Sequence, residues 1–167
     1  MPEHSAIVED DPTAPIDHFR YQWAFLSNFY PCRVFLGLHK YATVEHAYQA
    51  AKTLDTGQRD KVRGAASPFL AKRMGGEVPL RPGWDRMKRE IMADLLWQKF
   101  MHDPDLQAKL LSTGERELIE GHVGDTYWGV DKHGHGANHL GKLLMSIRAI
   151  ARLVVTPDDG NVDKPGT

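Results

Sequence analysis

The 167 residues contain a single cysteine, Cys32, which excludes an internal disulfide and fits a reducing compartment. Cys32 reads as a small, partly buried hydrophobe rather than a catalytic thiol. No apolar run approaches the roughly 20 residues needed to span a bilayer, and Met1-Pro2-Glu3-His4 has neither the basic start nor the apolar stretch of a secretory leader. A cytoplasmic location without membrane contact is the expectation. An excess of charge of either sign is also lacking. With 21 Lys and Arg against 22 Asp and Glu, the net charge of −1 excludes a chain-wide attraction to nucleic acid and leaves only local basic patches. Internal repeats and low-complexity tracts are missing too, which excludes solenoids and arrays.

What is present suffices for one compact domain, since 41% of the residues are hydrophobic. Proline and acidic residues crowd positions 1–15, and 155–167 are rich in Pro, Asp and Gly, so both ends are expected to be disordered around a folded unit at 16–154. Phe19, Tyr21, Trp23 and Phe25 alternate as on a strand with one aromatic face. Residues 34–36 and 40–42 read as a short hairpin around Gly37, feeding a helix that opens after Thr43. Further helices are expected at 58–66, from Ser67-Pro68 to Gly75-Gly76, at 84–101, from Asp103-Pro104 to Gly114, and from about 138 to 153. The last should turn Leu140, Leu143, Leu144, Ile147 and Ile150 inward. Residues 117–120 are the best late strand. The fold class is α+β, a single mainly helical domain with a few short strands.

Three stretches have the composition of a site. At about 100° per residue, Glu45, Gln49 and Lys52 fall within roughly 60° of one another, while Val44, Ala47, Tyr48 and Ala51 lie on the other side. Such a stripe is either a solvated face or a catalytic one, with Glu45 in the first turn, where the helix dipole favours a carboxylate. The turn Leu26-Ser27-Asn28-Phe29-Tyr30 is either a capped turn over core aromatics or a place where Asn28 orients a base between rings. The run from Tyr127 to Lys142 holds Trp128, Gly129, Asp131, Gly134, Gly136 and Asn138 ahead of a helix. It is either a connection or a loop that offers its amides to a phosphate. His122, His133, His135 and His139 lack the spacing of a metal set, and no metal or cofactor is expected. Lys61, Arg63, Lys72 and Arg73 are either solubilising charge or contacts for a diphosphate or nucleic-acid backbone.

The ordered set Phe25-Leu26-Ser27-Asn28-Phe29, Glu45 to Lys52, Trp84 after Pro82-Gly83, Tyr127-Trp128-Gly129 and Asn138 to Met145 resembles the NADAR (YbiA-like) family over residues 19–150. The resemblance implies an enzyme that cleaves N-glycosidic bonds at C1 of a phosphorylated ribose. The implied substrates are ribosylaminopyrimidine phosphates of riboflavin biosynthesis or ADP-ribose on guanine of nucleic acid, the latter with transient nucleic-acid contact. It implies catalytic roles for Glu45, Lys52 and Asp131. Substrate contacts are expected from Asn28, Phe29, His46 and Gln49, and from Trp84, Trp128, Gly129 and Asn138. Some members place Asp directly after Trp-Gly, whereas here Val130 intervenes before Asp131.

Cleaving C1–N builds positive charge on the ribose ring, which calls for an anion near C1, a proton for the leaving nitrogen and an activated water. Glu45 suits the first. Lys52 suits either the proton donor or a Schiff-base nucleophile toward the opened sugar, and Asp131 suits ribose hydroxyls or the water. The rival reading is a non-catalytic ADP-ribose-binding module, which would not need Glu45 and Lys52 on one face. Oligomeric state is not legible.

Overall fold

The structure is a computed structural model that describes residues 11–121 and 124–155. Its elements follow one another as a 3-10 helix (Tyr21–Leu26), β1 (Val34–Leu36), β2 (His39–Tyr41), α1 (Val44–Ala51), α2 (Thr56–Arg63), α3 (Pro68–Gly75), α4 (Trp84–Met101), α5 (Pro104–Ser112) and α6 (His139–Val155). This is a mainly helical α+β fold. Side chains that satisfy the first free amides set most helix starts. Thr43 accepts from His46 N, Asp55 from Gln58 N, Ser67 from Leu70 N, and Asp103 from Asp105 N and Leu106 N. The Asp55 cap starts α2 two residues before the expected position and takes Gly57 into its first turn.

The short α1 is the hub. All eight of its residues are buried, and it packs against α2, α3 and α4, while α4 also packs on α5 and α6. Strands β1 and β2 pair antiparallel with Val34 opposite Tyr41, and Gly37 supplies the turn with φ 60°.

The expected aromatic strand at 19–25 is instead the 3-10 helix. Its rings do not share a face: Phe19 and Phe25 are buried, whereas Tyr21 is 84% exposed. Tyr21 also sits at φ 51°, which no continuous strand permits, and local bonds such as Trp23 N to Arg20 O replace a ladder. The late strand at 117–120 reduces to one parallel bridge, Leu118 with Ile16. Ala14 N, the next donor on that side, is turned to Asp11 O instead. On α6, Leu140, Leu144, Ile147, Arg148 and Ala151 form the buried stripe, and Ile150 is exposed, because three residues beyond Ile147 the 100° step carries it off that face. Residues 11–15 form a turn tied to the domain, with Arg116 donating to the Ala14 carbonyl. Residues 1–10 and 156–167 of the expected tails lie outside the described residues.

One buried residue had no warning in the periodicity. Lys99 is 1% exposed, and its ammonium donates to Ser27 O at 2.7 Å and lies 5.6 Å from the Tyr30 ring centre. Burial pulls its amine down to about 8 from 10.5. Between those two values the unfolded chain holds a proton that the folded chain has released, so this residue's contribution to stability rises with pH across that window. Urea unfolding of the wild type and Lys99→Met at pH 7.5 and 9.5 should therefore show the difference moving in favour of the wild type at the higher pH. A difference independent of pH would mean that the amine is not desolvated.

Candidate active site

Helix α1 carries its polar residues toward a cavity of about 790 Å³. Its first turn is joined to the turn at Ser27-Asn28, since Glu45 N donates to Asn28 O at 3.0 Å and Phe29 N donates to Ser27 Oγ at 3.1 Å. Lys99 holds the Ser27 carbonyl from behind. Asn28, Phe29, Glu45, Gln49, Lys52, Trp84 and Trp128 all line the cavity. The stripe on α1 is therefore not a solvated face.

Glu45 is buried, and Gln49 Nε2 donates to its Oε1 at 2.8 Å. Desolvation raises the carboxyl above its ordinary range, opposed first by the Gln49 bond and then by the Lys72 and Lys52 ammoniums. Lys52 is the C-cap of α1, and loss of solvent lowers its amine against the pull of Glu45. Gln49 packs closely on Gly75 of α3, where an added methyl would overlap its side chain. Its Oε1, like Oδ1 of Asn28, is buried without a protein partner among the described residues. Two buried acceptors are thus unmatched beside the cavity, which is costly unless a donor reaches them.

The wall beside them is aromatic. Tyr48 lies between Trp84 and Trp128, with ring centres at 5.2 and 5.6 Å, and Trp128 Nε1 donates to the Tyr48 hydroxyl at 3.2 Å. Tyr127 meets Trp128 edge-on at 4.9 Å. The exposed Arg20, Lys72 and Asp125 and the half-buried Lys88 and Glu120 add ionisable groups to the lining. None of these five was a candidate for the chemistry, although Lys72 belonged to the basic surface. Tyr48, expected only to pack, is also part of the wall.

Four expected contacts lie elsewhere. His46 is clamped in the core: Nε2 donates to Ala65 O at 3.1 Å, leaving Nδ1 to accept from the Thr43 hydroxyl at 2.8 Å. Asp131 faces its own loop, where its Oδ1 accepts from the amides of His133 and His135, and those bonds hold its carboxyl below the usual range. The side chain of Asn138, at φ 48°, bridges Leu118 O and Glu120 N. Gly129 is packed against Gly136, where a methyl would overlap the Gly129 carbonyl.

The loop as a whole does not present a phosphate nest. Gly129 N donates to Asp125 O, Val130 N to Glu120 O, Asp131 N to His135 O and Ala137 N to Thr126 O. At the start of α6, His139 N and Leu140 N donate to Tyr127 O and Trp128 O. These amides are consumed by the loop's own fold. Among the described residues no three His, Cys, Asp or Glu side chains gather as metal ligands, and His122 lies outside them.

Known proteins share this fold. Residues 17–152 match the NADAR domain. The N-glycosidase YbiA of Escherichia coli is 40% identical over 124 residues, covering 73% of this chain and 78% of that protein. A riboflavin biosynthesis protein of Vibrio vulnificus is 36% identical over 126 residues, 74% of this chain and 34% of that longer protein. The NMR structure of E. coli YbiA superposes with a TM-score of 0.75 at 33% identity, covering 92% of this chain and 95% of the other. The domain match, the sequence identity and the shared fold agree, and the chain belongs to the NADAR domain family.

Proposed function

We propose that this cavity hydrolyses the C1–N bond between a phosphorylated ribose and a nucleobase-like group, with Glu45 as the carboxylate at C1. N-glycosidase is the name of the E. coli relative, and the chain is an N-glycosidase of that family. The observation that carries the assignment of Glu45 is the pairing of a buried carboxyl, oriented by Gln49, with the Lys52 amine in one aromatic-walled cavity of about 790 Å³. A binding module has no need of that pair.

As C1–N stretches, the ribose ring becomes cationic, and an ionised Glu45 in a water-poor site stabilises that charge more than it stabilises the neutral substrate. Tyr48, Trp84 and Trp128 offer faces and edges to the base. Asn28 and Gln49 line the cavity and offer amide groups to sugar hydroxyls or base N–H groups. Arg20, Lys72 and Lys88 in the lining supply the positive charge for phosphate that the folded-in glycine loop does not. The same three cations serve either a ribosylaminopyrimidine phosphate or ADP-ribose on a guanine base, the latter with brief nucleic-acid contact. The single cysteine suits a cytoplasmic setting, and no helix among the described residues is long and apolar enough to cross a membrane.

The test is product analysis by mass spectrometry. Incubation of the chain with each ribosyl substrate should release the free base from at least one of them. Titration that shows ADP-ribose binding, with no base released from either, would select the binding module instead.

The lowered Lys52 amine fits attack on a ring-opened aldehyde as well as proton donation. Borohydride added during turnover distinguishes these. An adduct of sugar mass on the peptide containing Lys52, absent in Lys52→Arg, is expected for the nucleophile. Full activity after borohydride with no adduct would rule that role out.

A further inference from the structure

We propose that Glu120 is the proton donor to the departing nitrogen, a second carboxyl that works in the same cavity as Glu45. This rests on the N-glycosidase reading above and names a catalytic residue that reading does not contain. Glu120 lines the cavity from the extended segment that follows the Leu118 bridge. Its backbone is fixed on both sides: its N–H donates to Asn138 Oδ1 at 3.1 Å, and its carbonyl accepts from Val130 N at 2.8 Å. Asn138 and the glycine loop thus act as positioning residues for a carboxyl rather than as ligands of a phosphate.

The two carboxyls differ in what surrounds them. Glu45 accepts the N–H of Gln49, a bond that favours its anion. Glu120 Oε2 is buried with no hydrogen-bond partner among the described residues, so nothing there stabilises an anion by direct donation. The charges that reach Glu120 are Lys72 on α3 and Arg20 ahead of the 3-10 helix, which pull its pKa down, and Glu45 on α1, which pushes it up. Lys52, Lys88 and Asp125 line the same cavity. Burial outweighs the cations and lifts the Glu120 carboxyl to about 7. A group balanced there holds a proton in much of the population at neutral pH and can give it up, which is what a general acid requires.

In the step itself, the C1–N bonding pair goes to nitrogen while the Glu120 proton moves to the same nitrogen, so the base leaves neutral. Cationic C1, held by ionised Glu45, takes the oxygen of a water. That water's proton passes by way of Glu45 to solvent, and Glu120 regains one from solvent. One water is consumed and both carboxyls return to their starting state.

Dependence on the leaving group tests this. Two substrates are compared: a ribosylaminopyrimidine phosphate, whose nitrogen needs a proton to leave, and 4-nitrophenyl riboside 5-phosphate, whose phenolate leaves without one. Glu120→Gln should lose about 10²-fold or more in kcat on the first and stay close to wild type on the second. The wild type alone should show an alkaline fall in kcat near pH 7 on the first substrate and none on the second, a readout that survives if the variant fails to fold. Equal losses on both substrates, or an alkaline fall common to both, overturn the role of Glu120. A wild type that cleaves neither substrate overturns the glycosidase reading itself, and this inference with it.

Discussion

Glu45→Gln is expected to lower kcat by roughly 10³–10⁴-fold while the protein folds and binds substrate as before. The amide keeps the shape, and its oxygen still accepts from Gln49, so the 2.8 Å contact and the packing of α1 survive. What is lost is the negative charge that a cationic ribose needs in the transition state. The stability readout has the opposite sign. Because burial raises the Glu45 pKa in the folded state, the folded chain holds its proton over a range where the unfolded chain has lost it, and the cost of burying the carboxyl grows as pH rises through that range. The variant escapes that cost and should melt no lower than the wild type at pH 7, with the difference shrinking toward pH 4. Calorimetry at the two pH values measures it. A variant that is both inactive and less stable at pH 7 would instead make Glu45 a structural residue.

Gly141→Ala should be among the most damaging small changes outside the cavity. Gly141 lies in the first turn of α6, where a methyl would overlap the Leu118 carbonyl and the side chain of Asn138. Relief requires moving the segment that Asn138 holds through Leu118 O and Glu120 N, all of it buried or half-buried. Overpacking of this kind, with loss of a buried bond, costs about 3 kcal/mol and lowers the melting temperature by roughly 6–12 °C. Turnover should fall as well, because Glu120 and Trp128 depend on that segment. Gly134→Ala provides the contrast. Its φ is 80° but nothing lies near the added methyl, so only backbone strain of about 1 kcal/mol is expected, with unchanged turnover. Equal effects of the two substitutions would refute the clamp.

The sequence-legible part of this protein is the part written locally. Thr43, Ser67-Pro68 and Asp103-Pro104 announce helix starts because a cap acts within three residues, and the glycines at 83 and 75–76 mark helix boundaries for the same reason. Glu45, Gln49 and Lys52 could be placed together because a helix has one period. Glu120 could not, since its position depends on Asn138, eighteen residues away, and on a bridge to Ile16 that no periodicity encodes. The aromatic alternation at 19–25 misled because a strand needs a neighbour, and among the described residues β1 and β2 pair only with each other. Of the loop glycines, Gly136 is a place of close approach, whereas nothing lies within 4 Å of a methyl at Gly134. What approaches Gly136 and Gly141 is the backbone of the chain, not a ligand.

The central claim is that one carboxyl, Glu45, drives cleavage of a C1–N bond in this cavity. Its most direct test sets the wild type beside Glu45→Gln on ADP-ribosyl-guanine oligonucleotide and on ribosylaminopyrimidine phosphate, with free base and released sugar phosphate counted together by mass spectrometry. The wild type should give equal amounts of base and sugar phosphate on at least one substrate, and the variant almost none at the same protein concentration. A variant that releases base at the wild-type rate, or a wild type that releases none from either substrate, would contradict the claim.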